Sequence, residues 1–316
     1  MKTVQFRGLG VTLPTPFVDR GAPIKRMTDP GKVTIEYPEQ INLSAFQTHL
    51  RRLVEQGPDF LVVCDVAGES PTLNYAEHVK MIAETVKIAG GKIPVLAATG
   101  ANSTIEAIEL SRAAKFAKAD GLLVVTPYYI RPPLRGLTNH YRTIRREVKE
   151  IPIILYDNPA RTGINVNAET ILELAHEGTI QGVKLASGDS DQAEKIITDR
   201  PPDFTVLVGD DRFIYRIMRA GADGAISVIA NFAFPRIRDL VVQLLEERYD
   251  DAKTTFKEMQ LLMATMEIEI NPLPLKTALS MIYPNQFSEC FRSPLCPMEP
   301  EKRLQIEFIL RHYCLI

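Results

Sequence analysis

Eight short, apolar, β-rich runs alternate with helical patterns between Gly8 and Val228, and few folds accept that alternation. The runs are Gly8–Leu13, Phe60–Cys64, Pro94–Ala98, Gly121–Val125, Ile153–Tyr156, Gly182–Leu185, Thr205–Gly209 and Gly224–Val228. Most are apolar throughout, as strands covered on both faces must be. Between them, Asn74-Tyr75-Ala76-Glu77 has capping-box spacing and opens a helix that ends near Gly90-Gly91. Ser103-Thr104-Ile105-Glu106 repeats that spacing, with Ala107, Leu110, Ala114 and Ala117 on one face. The pattern predicts an α/β chain folded as a TIM (β/α)8 barrel; the open doubly wound sheet is the alternative with the same periodicity.

Two segments stand outside the repeat. Asp19–Gln40 is polar and broken by Gly21, Pro23, Pro30, Gly31 and Pro38, which predicts a loop inserted at about 19–40. Asn231–Ile316 is helical, clearest over Phe234–Tyr249 and Lys302–Tyr313, and no linker precedes it. The expected organisation is a barrel over 1–230 with a helical extension over 231–316 packed on it.

Charge and composition exclude several classes. The 37 Lys plus Arg nearly balance 39 Asp plus Glu, a net of -2, so nothing favours nucleic acid or an anionic membrane surface. No apolar run approaches a membrane span, and Met1 to Arg7 lacks the apolar stretch of a signal peptide. Cys64, Cys290, Cys296 and Cys314 show no CxxC spacing, and free thiols in a reducing cytoplasm are expected. The five histidines are scattered without HExxH, so no metal is expected, nor any other cofactor.

Lys184 proposes the chemistry. It lies in Gly182-Val183-Lys184-Leu185-Ala186, where burial should strip hydration from its ammonium and lower its pKa. A partly neutral lysine is a nucleophile toward carbonyl carbon, which points to a Schiff base with a small keto acid. In a barrel the partners should lie where strands end and loops begin. Tyr156, at the end of the neighbouring strand, is placed to move protons during carbinolamine collapse. The backbone N–H groups of Ala67 and Gly68 suit a carboxylate, and Arg161 suits a second one. Each also has an ordinary reading: a snorkelling lysine, a core tyrosine, a plain turn, a surface ion pair. Glu69, Asp210 and Asp211 read equally as loop or helix-capping groups.

These strand ends, from about Gly8 to about Pro297, resemble the dihydrodipicolinate synthase and N-acetylneuraminate lyase superfamily of pyruvate-dependent class I aldolases. The motifs are Gly68-Glu69-Ser70-Pro71-Thr72-Leu73, Val125-Thr126-Pro127-Tyr128-Tyr129, Leu155-Tyr156 through Arg161-Thr162-Gly163, Gly182-Val183-Lys184, Gly209-Asp210-Asp211 and Asn271-Pro272-Leu273-Pro274-Leu275-Lys276. The resemblance implies Lys184 as the imine lysine, Tyr156 as proton shuttle, Ile226 in the pyruvate pocket, and Tyr129 reaching the partner subunit's site. It implies pyruvate and a small aldehyde as substrates, a homo-oligomer (a dimer or dimer of dimers), and a cytoplasmic place in lysine biosynthesis. Arg161 falls where the synthase holds the carboxylate of aspartate semialdehyde, a residue that the neuraminate lyase pattern lacks. His78, Asn102, Glu106 and Tyr128 match a lysine-feedback site, with Tyr75 at a position often histidine, although helix capping and interface packing account for some of them equally.

One departure bears on mechanism. Where the synthase pattern has Gly-Thr-Thr, this chain has Asp65-Val66-Ala67. Val66 offers no hydroxyl to a Tyr156–Tyr129 proton relay, and Ala67 can give pyruvate only its N–H. Losing one charge-assisted hydrogen bond costs about 1.5–3 kcal/mol. Three readings follow: a dihydrodipicolinate-synthase-like lyase; an aldolase or dehydratase of a 2-oxo-3-deoxy sugar acid or hydroxylated 2-oxo acid; and a keto-acid-binding homologue of little catalysis.

Overall fold

The structure is a computed structural model and describes residues 5–21, 24–29 and 32–316. Its strands in chain order are β1 (Gly8–Thr12), β2 (Phe17–Asp19), β3 (Ile24–Asp29), β4 (Lys32–Glu36), β5 (Glu39–Ile41), β6 (Phe60–Val63), β7 (Val95–Ala98), β8 (Gly121–Val125), β9 (Ile153–Asp157), β10 (Gly182–Leu185), β11 (Thr205–Val208) and β12 (Gly224–Ser227). The eight apolar runs are the eight strands β1 and β6 to β12, which form a closed parallel barrel. Closure is what excludes the open sheet: β1 pairs with β12 on one side and with β6 on the other.

Strand alternation divides the core in two. Phe60, Val62, Leu96, Leu123, Ile154, Tyr156, Leu207 and Ile226 pack together with Phe6 as one cluster, filling the barrel. Their neighbours Leu61, Val63, Leu122, Val124, Leu155, Val183 and Val206 join the larger cluster under the helices. Gly10 makes room for this filling: a Cβ there would stand 2.2 Å from the Phe60 ring. Lys184 shares inward parity with Gly182, so the strand period itself carries the ammonium to the barrel axis.

The helix boundaries follow their caps. Asn74 Oδ1 accepts from the Glu77 N–H at 3.0 Å, and Glu77 Oε2 accepts from the Asn74 N–H at 3.0 Å, completing the capping box of helix Tyr75–Ala89. Gly90 ends it in the left-handed conformation at φ 60°. Ser103 opens helix Thr104–Phe116 without a side-chain cap, contrary to its spacing; Thr104 Oγ1 instead bonds His140 Nδ1 at 2.9 Å.

The segment expected as a loop at 19–40 is largely β-structure. β2 pairs with β5 and β3 with β4, both antiparallel. Val33 and Ile35 carry the period-2 pattern of β4, and Gly21 and Pro38 lie just outside strands, so the turn residues punctuate two ladders. Pro23, Pro30 and Gly31 lie outside the described residues.

Helix Ala230–Leu245 packs on β1 and β12 and so completes the eighth βα unit. Helices Tyr249–Ala264, Leu273–Ile282 and Pro300–His312 follow. Two buried cations tie this extension to the loop after β6. Lys276 Nζ contacts Glu69 Oε1 at 2.5 Å, with Phe17 and Phe291 flanking it. Arg292, 1% exposed, holds Glu77 through two bonds of 2.7 Å and donates to the Glu39 and Thr72 carbonyls. Pinned this way, Met263, Met266 and Asn271 wall one side of the barrel mouth. No helix among the described residues is long and apolar enough to cross a membrane.

Candidate active site

Lys184 and Tyr156 are register partners on β10 and β9. The Lys184 Nζ stands 3.8 Å from the centre of the Tyr156 ring. The Tyr156 hydroxyl accepts a 2.7 Å bond from Asn158 Nδ2. Both side chains border a cavity of about 240 Å³ at the C-terminal end of the strands, where Ala67, Arg161, Ile226 and Asp211 also meet.

The group closest to the amine is one that sequence reasoning left out. Asp65 opens the turn after β6, and its Oδ2 accepts from Lys184 Nζ at 2.6 Å, with the side chains 5% and 3% exposed. Burial pushes the lysine toward neutrality, but the Asp65 charge and the Tyr156 hydroxyl outweigh it, and the Lys184 pKa lies above the ordinary value. The expectation of a partly neutral amine is therefore corrected: the resting group is an ammonium held by a buried carboxylate. Burial is also the main reason that the Tyr156 hydroxyl titrates above an ordinary tyrosine. Sequence alone draws attention to Val66 and Ala67 as missing hydroxyls. The available signal was Asp65 itself, a carboxylate one residue beyond a wholly apolar run.

The other predicted residues divide by location. Val66, Ala67, Ile226 and Arg161 border the cavity. Gly68 does not, and its N–H donates to the Asp65 carbonyl at 2.9 Å within the short 3-10 turn Val66–Gly68. Ala67 stands in the first turn of that segment, where N–H groups lack partners inside it. Arg161 lies exposed at the mouth and donates to the Asn271 carbonyl at 2.8 Å. Tyr129 is 88% exposed at φ 70° and borders neither this cavity nor its neighbour. Within one chain, then, Tyr129 is not brought to Lys184.

Tyr75, His78, Glu106 and Tyr128 line a second cavity of about 450 Å³, which shares Asp65, Val66, Tyr156, Arg161 and Asn271 with the first. His78 Nε2 bonds the Ala98 carbonyl at 2.8 Å, and burial lowers its pKa. Burial and the Glu106 charge raise that of Tyr128, and Asn102 does not border this cavity. Of the acids left open, Glu69 pairs with Lys276. Asp210 caps its own turn through the Arg212 N–H. Asp211 Oδ2 accepts from the Val228 and Ile229 N–H groups at 3.0 and 3.3 Å, and burial pushes its pKa up to about 6.

The sequence profile of the dihydrodipicolinate synthetase family matches residues 25–313. The chain belongs to the dihydrodipicolinate synthetase family. It is 40% identical over 274 residues to the 4-hydroxy-tetrahydrodipicolinate synthase of Geobacter sulfurreducens, covering 85% of this chain and 93% of that one. The crystal structure of dihydrodipicolinate synthase from Aquifex aeolicus superposes with a TM-score of 0.88 at 36% identity, over 98% of this chain and 99% of that one. The chloride-inhibited dihydrodipicolinate synthase of Acinetobacter baumannii, complexed with pyruvate, superposes at 0.89 with 33% identity, over 98% and 99%. The Asp65-Val66-Ala67 segment now has a geometry. Val66 packs against the interior cluster that contains Tyr156, while Asp65 turns inward to Lys184.

Proposed function

We propose that this dihydrodipicolinate synthetase family member is a Schiff-base lyase that condenses pyruvate, bound as an imine on Lys184, with an aldehyde, foremost aspartate semialdehyde. The carrying observation is the buried lysine beside Tyr156 in a cavity whose mouth holds Arg161. The Ala67 N–H receives the pyruvate carboxylate, and Lys184 adds to the keto carbon. Tyr156, fixed by Asn158, relays a proton from nitrogen to oxygen as the carbinolamine forms, and the carbinolamine then loses water. The enamine then attacks the aldehyde, whose own carboxylate rests on Arg161.

The same reading assembles copies of the chain, which would cover Tyr129, Ile130 and Ile105, apolar side chains exposed at 88%, 59% and 70%. It makes the second cavity, with the Glu106 carboxylate and Tyr128 hydroxyl, a site for inhibition by lysine.

Incubation with pyruvate, borohydride reduction and peptide mass mapping test the imine. An adduct at Lys184 is expected, and its absence would sink the lyase reading. Aspartate semialdehyde assayed against 2-oxo-3-deoxy sugar acids then tests the second substrate. Val66 and Ala67, with no side-chain hydroxyl to offer, favour the sugar-acid reading if the semialdehyde rate stays at background.

A further inference from the structure

We infer that Asp65 is a catalytic acid–base of this active site, taking the proton that Lys184 must lose and returning it when water leaves. The inference rests on the lyase reading above and deepens it. Asp65 Oδ2 touches the reacting nitrogen at 2.6 Å, both side chains are almost fully buried, and Asp65 borders the cavity where pyruvate would lie. A charged lysine cannot attack a carbonyl, so some group must accept its proton first. Val66 and Ala67, which follow Asp65 into the turn, carry no hydroxyl that could relay the proton. Tyr156 accepts its bond from Asn158 and titrates above an ordinary tyrosine, so it is a poor acceptor at neutral pH.

The steps balance. The Lys184 ammonium gives one proton to the Asp65 carboxylate, leaving a neutral pair. The amine lone pair forms the C–N bond as the carbonyl π pair moves to oxygen. A proton passes from nitrogen to that oxygen through Tyr156, giving the carbinolamine. Protonated Asp65 then gives its proton to the hydroxyl, the C–O bond breaks, water departs, and the nitrogen lone pair forms the iminium. Asp65 ends as a carboxylate beside a cation, as it began. The buried charges thus appear and vanish in pairs, which avoids leaving one unpaired away from water.

The titratable groups beside the pair are Tyr156 on β9 and Cys64 preceding Asp65, whose thiol burial keeps protonated. Asp211, Arg161 and Arg212 border the same cavity.

The rate of pyruvate adduct formation on Lys184, trapped by borohydride across pH in wild type, Asp65→Asn and Asp65→Ala, tests the inference. Asp65→Asn should slow trapping by about 10²-fold or more at every pH. Asp65→Ala should be slow and should accelerate with added formate, which can occupy the vacated carboxylate position; this arm holds if the Asn variant does not fold. An Asn variant as fast as wild type, or faster, overturns the inference, because Asp65 would then merely restrain the ammonium. So does an Ala variant indifferent to formate. No adduct in wild type would instead defeat the underlying lyase reading, a result distinct from either.

Discussion

Gly209 leaves the space that Lys184 fills: a Cβ at position 209 would stand 2.9 Å from Lys184 Cε and 3.0 Å from its Cγ. Gly209 follows β11, and its N–H donates to the Leu185 carbonyl on the neighbouring strand at 2.7 Å. The strand ends are therefore locked together while the lysine stem lies over a bare backbone. A methyl at this point must push the stem off its path to Asp65. Gly209→Ala is expected to lower the rate of pyruvate adduct formation by about 10²-fold, the order expected for an ångström-scale misplacement of a reacting group. Borohydride trapping, with thermal unfolding as the folding control, checks it.

Arg161 is exposed, and among the described residues its side chain makes one hydrogen bond, to the Asn271 carbonyl. Its removal should leave stability within about 1 kcal/mol of wild type. If it holds the second substrate's carboxylate, Arg161→Ala loses about 1.5–3 kcal/mol of binding. KM for aspartate semialdehyde then rises by about 10–100-fold while pyruvate trapping is unchanged. Parallel losses in both measurements would remove Arg161 from that role.

Arg292 contributes where it cannot touch substrate. Its guanidinium is buried and forked onto Glu77, and it spans the extension and the helix after β6. Arg292→Met leaves Glu77 without its partner, and cutting one side of a buried pair costs about 3–5 kcal/mol. Urea unfolding should show that loss. Arg292→Lys keeps the charge without the fork and should fall between.

Asp157 predicts a dependence of stability on pH. Burial is the main cause that pushes its carboxyl up to about 6, from an unfolded value near 3.8. A raised pKa means that the folded chain binds the proton more tightly. The stabilisation is full below about pH 4 and is lost as pH rises through about 6. Asp157→Asn cannot titrate, so its stability relative to wild type should climb by about 2–3 kcal/mol between pH 4 and 7.5. Denaturant melts at the two ends check the sign; an unchanging difference would refute it.

Much of the molecule was legible in the chain. All eight barrel strands lie within a residue or two of apolar runs, because strands buried on both faces cannot hide their hydrophobicity. Lys184 and Tyr156 stood out for the same reason, as polar groups in apolar surroundings. The segment at 19–40 misled because glycine and proline bound short strands as readily as they fill loops. Ser103 misled because spacing permits a cap without supplying its hydrogen bond.

Sequence by itself determined the barrel's strands, since these follow from local apolar runs; runs apolar on both faces left it to the tertiary structure which side chains face the axis. Tertiary structure decided what those side chains meet. Asp65, just past the end of β6, and Lys184 on β10 are 119 residues apart in sequence, and their 2.6 Å contact exists only because the barrel closes. That contact turns a lysine expected to be partly neutral into a charged one, because a buried cation's protonation depends on its nearest counter-charge as well as on its loss of water.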